Sequence, residues 1–344
     1  MFFNWDFAPA ARERFFHSLE NIFHDFAVGQ TPHRIIDEDQ ALNFRLLCYE
    51  KNRQAQEAVF IIPHMINRPY ILDLSDDLSV VKSLIDSGFA VYMIDWGYPT
   101  TAQSAISFAD YLTYADRCMN IIRGARRGRK ISLLGYCTGG IISLIYASFQ
   151  PEKLNKLVLL ATPLDFSNVR DIRISCGKML DMDFITKLFA NMPGEMVVLF
   201  GRNMFFYYLP LFMRDEEFKK ELEQLRDWGN VLRINRWLLD SPMIPGAAYT
   251  QFIRDCYRNN FLIQNKMKIG KRLVNLAGIS CPVLNCLAKF DHIVPLASGT
   301  ALKNVYTGGS YKEIIFPSSH VGLTVGKLAH EQLWPKIGEW LKVS

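Results

Sequence analysis

The sequence predicts an α/β protein built on a mostly parallel β-sheet, with a helical insertion that caps one end of the sheet. Three observations predict it: short apolar runs alternate with helical stretches, one long segment interrupts this alternation, and a glycine-flanked turn joins one apolar run to a helix. Strands that are buried on both faces and joined by helical crossovers are typical of a parallel sheet. The apolar runs lie at residues 59–62, 90–94, 131–134, 157–160, 283–287 and 313–316.

Two elements are predicted ahead of the first of these runs. Residues 1–30 are expected to hold an amphipathic helix, because apolar side chains recur at helical spacing between Phe15 and Phe26. Such a helix either packs on its own protein or contacts a partner or a hydrophobic surface, and the sequence leaves both interpretations open. Residues 43–49 then alternate between polar and apolar side chains, which indicates an early strand.

The core is predicted to comprise residues 31–166 and 277–344, with residues 167–276 inserted between them as a helical cap. The inserted segment is rich in aromatic residues and helix formers, shows no clear sheet strand, and is too long for a loop. Its aromatic run at residues 205–208 either packs inside the insertion or forms a cap surface for dimerisation or product contact.

The turn at residues 135–140, with the sequence GYCTGG, carries the strongest chemical signal. It joins the apolar run 131–134 to a helical stretch, and a glycine on either side of one reactive side chain is the pattern of the nucleophile elbow in α/β-hydrolases. Cys137 stands where those enzymes usually have serine. A thiolate at a helix N-terminus is a favoured nucleophile, and it shifts the expected substrate from oxyesters to thioesters.

The elbow fold places an acid and a histidine later in the chain, each after a strand. Asp291 follows the apolar run 283–287, and His320 follows the run 313–316. Asp291 could instead cap a helix, and His320 could be a surface loop residue. The order Cys137, Asp291, His320 is the order that this fold requires, so the sequence predicts a catalytic triad.

The loop after the first apolar run is the place where this fold keeps its second oxyanion donor. A backbone amide there, together with that of Thr138, would receive the charge that develops on a thioester oxygen. His64 lies in this loop and is either part of the site or a turn residue bonded to the backbone.

Composition and charge narrow the classes of function and the cellular location that the sequence predicts. The net charge is +5 with charges of both signs interspersed, so nucleic-acid binding is not predicted. Seven cysteines without a paired framework favour a reducing cytoplasm, and no metal-binding or nucleotide-binding motif is present. No signal peptide is expected, and no transmembrane segment, because Arg202, Asn203 and Pro210 interrupt the most apolar stretch.

At these motifs the chain resembles the polyhydroxyalkanoate synthases, above all the short catalytic subunits of class III and class IV, which work with a second protein. The resemblance extends over nearly the whole chain after the N-terminal helix. Generic hydrolases do not carry the segments NRPYILDL at 67–74 and DWGYP at 95–99. The other matching segments lie at residues 28–32, 135–140, 237–242, 291–295 and 320–322.

The resemblance implies transfer of acyl groups from 3-hydroxyacyl-coenzyme A to a growing polyester, with Cys137 carrying the acyl group as a thioester. His320 would deprotonate Cys137, and Asp291 would orient His320 or help activate the attacking 3-hydroxyl. Ile66, by its position in the family motif, and Thr138 would supply the oxyanion amides. No cofactor or metal is expected, since the coenzyme A thioester is the substrate and coenzyme A the leaving group.

The resemblance also implies partners and a location. A second synthase subunit of the PhaE or PhaR type is expected, as are a homodimer or larger assembly and a cytoplasmic location at the surface of polyester granules. Class III relatives usually have glutamine after the nucleophile, whereas this chain has Thr138, so the choice between class III and class IV stays open. Two alternatives to a synthase are a cysteine-dependent thioester or lactone hydrolase and a noncatalytic binding protein on the same fold.

Overall fold

The computed structural model of the protein describes residues 27–50, 57–224 and 227–342. The N-terminal helix predicted within residues 1–30 lies outside these residues, apart from 27–30, which have no regular secondary structure. The N-terminal helix therefore stays a prediction.

The described residues form an eight-stranded sheet with the order β1-β2-β4-β3-β5-β6-β9-β10. The pairs β1/β2 and β2/β4 are antiparallel, and the other neighbours are parallel. The main-sheet strands are β1 (Arg34–Asp39), β2 (Phe44–Tyr49), β3 (Ala58–Ile62), β4 (Ala90–Asp95), β5 (Ile131–Tyr136), β6 (Leu154–Leu160), β9 (Val283–Ala288) and β10 (Tyr311–Phe316).

The predicted mostly parallel sheet is confirmed, and each predicted apolar run lies within a strand. The strands β3, β4, β5 and β9 are buried along their whole length, which explains their continuous apolar sequence. The sequence did not reveal β1, because this edge strand carries charged, half-exposed residues and has no apolar run. The parallel strands end at one common edge of the sheet, and the loops that follow β3, β5, β9 and β10 therefore lie close together.

Helices pack on both faces of the sheet and also fill the segment between β6 and β9. Shorter 3₁₀ or π segments lie at Pro69–Leu72, Thr101–Gln103, Pro151–Lys153, Ile253–Arg258, Leu276–Gly278, Ala301–Asn304 and Ala329–Leu333. The α-helices are α1 (Val80–Asp86), α2 (Phe108–Ala125), α3 (Thr138–Phe149), α4 (Ile172–Met179), α5 (Met182–Phe189), α6 (Gly194–Phe212), α7 (Glu216–Gln224), α8 (Trp228–Leu239), α9 (Gly246–Phe252), α10 (Leu296–Thr300), α11 (Gly322–Val325) and α12 (Trp334–Lys342).

The segment between β6 and β9 contains helices α4 to α9, overlaps the predicted cap at residues 167–276 and is called the cap. It also contains a small hairpin that the sequence did not reveal, formed by β7 (Lys268–Ile269) and β8 (Arg272–Leu273), since two-residue strands are too short to show a period. Asn191 ties the segment to the core by donating to the carbonyl of Thr100 at 2.8 Å. Among the described residues, none of the helices has both the length and the apolar character needed to cross a membrane.

Candidate active site

Cys137 lies at the sharp turn between β5 and α3, with backbone angles of φ 54° and ψ −121°. A positive φ is strained for a residue with a side chain, and such strain is typical of functional turns. The turn is held because the Cys137 N–H donates to the carbonyl of Leu160 at 2.8 Å. A Cβ atom on Gly139 would lie 2.2 Å from the carbonyl oxygen of Ile62, so only glycine lets the helix approach β3 this closely.

The acid and the histidine that the sequence predicts lie side by side next to this turn. The Oδ2 atom of Asp291 is 2.7 Å from Nδ1 of His320. The other carboxylate oxygen of Asp291 accepts the backbone N–H groups of Ile293 at 2.8 Å and Val294 at 2.7 Å, which fixes the orientation of the carboxylate. The imidazole of His320 also interacts with the side chain of Cys137, and both residues line one cavity. The fold thus brings the three predicted residues together in the order thiol, imidazole, carboxylate.

The electrostatics of this group favour a proton on the imidazole. Burial lowers the pKa of His320, but the negative charges of Asp291 and of the Cys137 thiolate outweigh burial and raise this pKa to about 10. Burial raises the pKa of Asp291, yet its charge interaction and hydrogen bond with His320 hold that pKa below its ordinary value. His320 is therefore suited to accept the proton that a thiol loses.

Three successive amides after β3 show how the candidate oxyanion site is formed. The Met65 N–H donates to Oγ1 of Thr138 at 3.0 Å, and the Asn67 N–H donates to Nδ1 of His64 at 3.2 Å. Between them, the N–H of Ile66 has no acceptor in the described part of the chain, and neither does the first amide of α3, that of Thr138. Both predicted oxyanion residues line the same cavity as Cys137. Hydrogen bonds therefore hold the loop at Met65 and at Asn67, and the N–H of Ile66 between them lacks an acceptor in the described part of the chain.

This cavity has a volume of about 520 Å³ and is lined by loops that follow the sheet strands and by helices of the segment between β6 and β9. Its wall combines His320 and Ile66 of the core with Trp237 and Phe205 of the cap. A cavity of this size and composition is typical of a site for a small molecule with an apolar part. Over the residues covered by the structure, no group of His, Cys, Asp or Glu side chains is arranged to hold a metal ion.

Solved structures share the fold of this chain. The α/β hydrolase fold family matches residues 70–326. A monoacylglycerol lipase from Paleococcus ferrophilus superposes with a TM-score of 0.55 at 15% identity, over 87% of this chain and 98% of that chain. A putative lipase from Sulfolobus solfataricus gives a TM-score of 0.56 at 13% identity, over 91% and 97% of the two chains. At such identities the likeness confirms the predicted α/β-hydrolase fold and nothing about the substrate.

Relatives found by sequence identify the family of this chain, whereas the solved structures identify only its fold. The poly(3-hydroxyalkanoate) polymerase subunit PhaC of Allochromatium vinosum is 35% identical over 94% of this chain and 92% of that protein. The chain belongs to the PhaC family. PhaC subunits of Thiocystis violacea, 32% identical over 94% of this chain and 92% of the relative, and of Synechocystis sp., 34% identical over 96% and 90%, agree with this. The resemblance predicted from the motifs is confirmed at the level of the PhaC family.

Two of the segments that carried the family resemblance form a buried polar network with the cap. Arg68 is paired with Asp95 at 2.8 Å. The hydroxyl groups of Tyr70 and Tyr98 both donate to the carboxylate of Asp240, each at 3.0 Å. Separating the partners of a buried ion pair lowers the free energy of unfolding, because a buried charge is left unpaired. The network therefore fixes the relative positions of the segments that contribute to it.

The cap helix α8 is bonded directly to the loop that carries Ile66. The indole N–H of Trp237 donates to the carbonyl of Arg68 at 2.8 Å, and the hydroxyl of Ser241 donates to Oδ1 of Asn67 at 3.1 Å. These bonds give the family segment 237–242 a physical role, which is to hold the cap against the candidate oxyanion loop.

Another cap residue, Glu221 of α7, holds the loop that carries His320. Its carboxylate accepts the hydroxyl of Ser318 at 2.8 Å, and the hydroxyl and backbone N–H of Ser319, both at 2.9 Å. Burial raises the pKa of Glu221, although these donors oppose the rise. Glu221 could not be identified from the sequence, because one glutamate in a charged helix resembles any solvent-exposed residue.

Replacing Thr138 by valine is expected to lower turnover roughly tenfold, because the buried Met65 N–H loses its acceptor and the Ile66 amide is no longer held in place. Replacement by serine keeps the hydroxyl and should leave turnover within about threefold of wild type. Steady-state kinetics of both variants measure this. Equal activity of the valine and serine variants would contradict the role assigned to Oγ1.

Replacing Glu221 by alanine is expected to lower the free energy of unfolding by about 2 kcal/mol, since charged hydrogen bonds to the serine pair are lost. Turnover should fall as well, because the loop that carries His320 loses its support. The matched control is Glu223→Ala in the same helix, whose side chain is exposed. Denaturant unfolding and kinetics that show the two variants to be alike would exclude the supporting role.

Proposed function

We propose that this chain is the catalytic subunit of a polyhydroxyalkanoate synthase, which polymerises (R)-3-hydroxyacyl groups from coenzyme A thioesters, such as 3-hydroxybutyryl-coenzyme A, and releases coenzyme A. The observation that carries the proposal is the Cys137 thiol at an elbow beside His320 and Asp291, in a chain of the PhaC family. The proposed reaction requires neither a cofactor nor a metal.

In the first step the sulfur of Cys137 attacks the thioester carbonyl of the substrate. His320 takes the thiol proton, and the charge on the carbonyl oxygen is received by the N–H groups of Ile66 and Thr138. The bond between the carbonyl carbon and the sulfur of coenzyme A then breaks, and His320 returns the proton to the leaving thiolate. Because one thioester replaces another, the step is nearly balanced in free energy.

In the second step the 3-hydroxyl of an incoming hydroxyacyl-coenzyme A attacks the thioester held on Cys137. His320, oriented by Asp291, accepts the hydroxyl proton and passes it to the sulfur of Cys137 as the carbon–sulfur bond breaks. The chain, now one unit longer and bound to coenzyme A, reacylates Cys137 with release of coenzyme A. Each added unit thus yields one coenzyme A and one ester bond.

The cap supplies a dry environment for these steps. Cys137 is only 5% exposed, and the cavity beside it is closed on one side by the cap. Exclusion of water protects a thioester from hydrolysis, which a polymerase must avoid. In the aromatic run at 205–208, Phe205 and Phe206 line the cavity, and Phe206 and Tyr207 are 61% and 60% exposed. The run therefore supplies both wall and surface, and we assign it to product contact.

The proposal includes a second synthase subunit of the PhaE or PhaR type, a homodimer or larger assembly, and a location at the surface of polyester granules. Exposed apolar side chains on the cap helices, among them Phe184 at 64% and Trp228 at 77%, support such contacts. Whether the enzyme is of class III or class IV is tested by co-expression with one or the other type of subunit, followed by an assay of coenzyme A release.

Analysis of the product tests the proposed function. The purified protein, alone and with either type of partner subunit, is incubated with (R)-3-hydroxybutyryl-coenzyme A, and both free coenzyme A and polymer are measured. The proposal predicts release of coenzyme A in step with insoluble polyester. Release of coenzyme A with only soluble 3-hydroxybutyrate under all conditions would instead identify a thioester hydrolase. No release under any condition would favour a noncatalytic protein.

A further inference from the structure

His64 lies in the wall of the cavity beside the candidate oxyanion loop, and neither proposed step uses its side chain. The residue is 4% exposed. Its ring lies edge-on to those of Tyr136 and Trp237, with centroid distances of 5.2 and 5.7 Å. Contacts with the core on one side and the cap on the other therefore fix the plane of the imidazole.

One nitrogen of this ring is committed to the protein backbone. Nδ1 faces the N–H of Asn67 at 3.2 Å, so it acts as an acceptor and carries no proton. Burial and the nearby charge of His320 lower the pKa of His64 to about 3, so the ring is neutral at physiological pH. A neutral imidazole whose Nδ1 is an acceptor has its proton on Nε2.

The other nitrogen is a donor that the protein leaves unpaired. Nε2 is buried and has no hydrogen-bond partner among residues 27–50, 57–224 and 227–342. Nδ1 is turned back to its own loop, so Nε2 is on the far edge of the ring, away from that loop. Because buried donors are normally paired with protein, water or ligand, this unpaired donor in a cavity wall is free to pair with an acceptor atom of a bound molecule.

The oxyanion donors limit which substrate atom this acceptor is. In the proposed first step the carbonyl oxygen of the thioester already accepts from two donors, the N–H groups of Ile66 and Thr138, and both residues line the cavity. The next oxygen along a 3-hydroxyacyl chain is the one on C3. We propose that the Nε2–H of His64 donates a hydrogen bond to the C3 oxygen of the acyl group at Cys137, and thereby selects 3-hydroxyacyl over unsubstituted acyl groups. This inference rests on the proposed acylation of Cys137.

A pair of substitutions separates this role from support of the loop. In His64→Asn, the amide oxygen can replace Nδ1 as acceptor for Asn67, but no group replaces the Nε2 donor. In His64→Gln, the amide nitrogen can replace the Nε2 donor, but the acceptor for Asn67 is lost. A purely structural role would therefore make the glutamine variant the poorer enzyme, without changing which substrate is preferred.

The experiment measures the rate of the first coenzyme A release in a single turnover, with (R)-3-hydroxybutyryl-coenzyme A and with butyryl-coenzyme A, which lacks the C3 oxygen. The ratio of the two rates is the readout, because damage to the loop lowers both rates alike. We expect the wild type to prefer the hydroxyacyl substrate, and His64→Asn to reduce that preference at least about tenfold. His64→Gln should keep the preference within about threefold, even if both of its rates fall.

Two results would overturn the inference: a wild-type enzyme without preference, or a preference that His64→Asn leaves unchanged. If both rates fall in parallel in His64→Asn, the preference is unchanged and the inference is overturned. The donor would then act on the carbonyl oxygen or would only support the loop. Failure of the proposed function looks different, because the wild type would then release no coenzyme A from either thioester, or would release it with soluble 3-hydroxybutyrate in place of polymer.

Discussion

Replacing Cys137 by alanine is expected to reduce coenzyme A release from (R)-3-hydroxybutyryl-coenzyme A by at least about 10⁴-fold and to abolish polymer. Both proposed steps pass through a bond to the sulfur of Cys137, so the loss of the thiol removes the path and does not merely slow it. The oxyanion amides remain in this variant, but they have no attached acyl group to stabilise. A thiol-reactive dye for free coenzyme A and gravimetric assay of the polyester measure the two effects.

The matched control is Cys281→Ala. This cysteine is buried just before β9, and burial raises the pKa of its thiol to about 11, so it is protonated and unreactive at neutral pH. The control should keep nearly full activity. Coenzyme A release that persists in Cys137→Ala, or that is lost equally in Cys281→Ala, would contradict the assignment of the nucleophile.

Replacing Asp291 by asparagine is expected to lower turnover by about 10³-fold while the protein stays folded. The amide oxygen can keep the bonds to the backbone N–H groups of Ile293 and Val294. The amide nitrogen would then donate to Nδ1 of His320, so a neutral imidazole must carry its proton on Nε2. A protonated Nε2 cannot act as the base that accepts the proton of Cys137. Kinetics near wild type in Asp291→Asn would exclude Asp291 as the group that orients the base.

The pH dependence of stability gives the same substitution a second readout. The pKa of His320 is raised from 6.5 to about 10, so its contribution is complete below pH 6.5 and is lost as the pH rises through about 10. The pKa of Asp291 is lowered from 3.8, so its contribution is complete above pH 3.8 and is lost in more acid solution. The difference in unfolding free energy between wild type and Asp291→Asn should therefore be largest between pH 3.8 and 6.5. A difference that grows toward pH 10 would contradict the ion pair.

The sheet and the order of the reactive residues could be predicted from the sequence because their signals are local. A strand buried on both faces must be apolar throughout, which made β3, β5 and β9 visible. The elbow is equally local, because its glycines are required by close approach of the backbone. Asp291 and His320 were found from their positions after such strands, and the structure places their side chains 2.7 Å apart.

The contacts between cap and core could not be predicted, because each joins residues far apart in the sequence and leaves no local pattern. Glu221 holds Ser319 from a helix almost a hundred positions away, and Thr138 acts on Met65 through its side chain as well as offering its backbone amide. The sequence predicts a role for Thr138 through its backbone amide, and the structure adds the role of its hydroxyl. The unpaired Nε2 of His64 also became visible only in three dimensions.

The central claim is that Cys137 carries the acyl group. Its most direct test is mass spectrometry of the protein after acid quenching during turnover of (R)-3-hydroxybutyryl-coenzyme A, followed by peptide mapping. The account predicts one or more 3-hydroxybutyryl units attached to the peptide that contains Cys137, removable by hydroxylamine and absent in Cys137→Ala. Continued turnover with Cys137 unmodified, or an acyl group found on another residue, would contradict it.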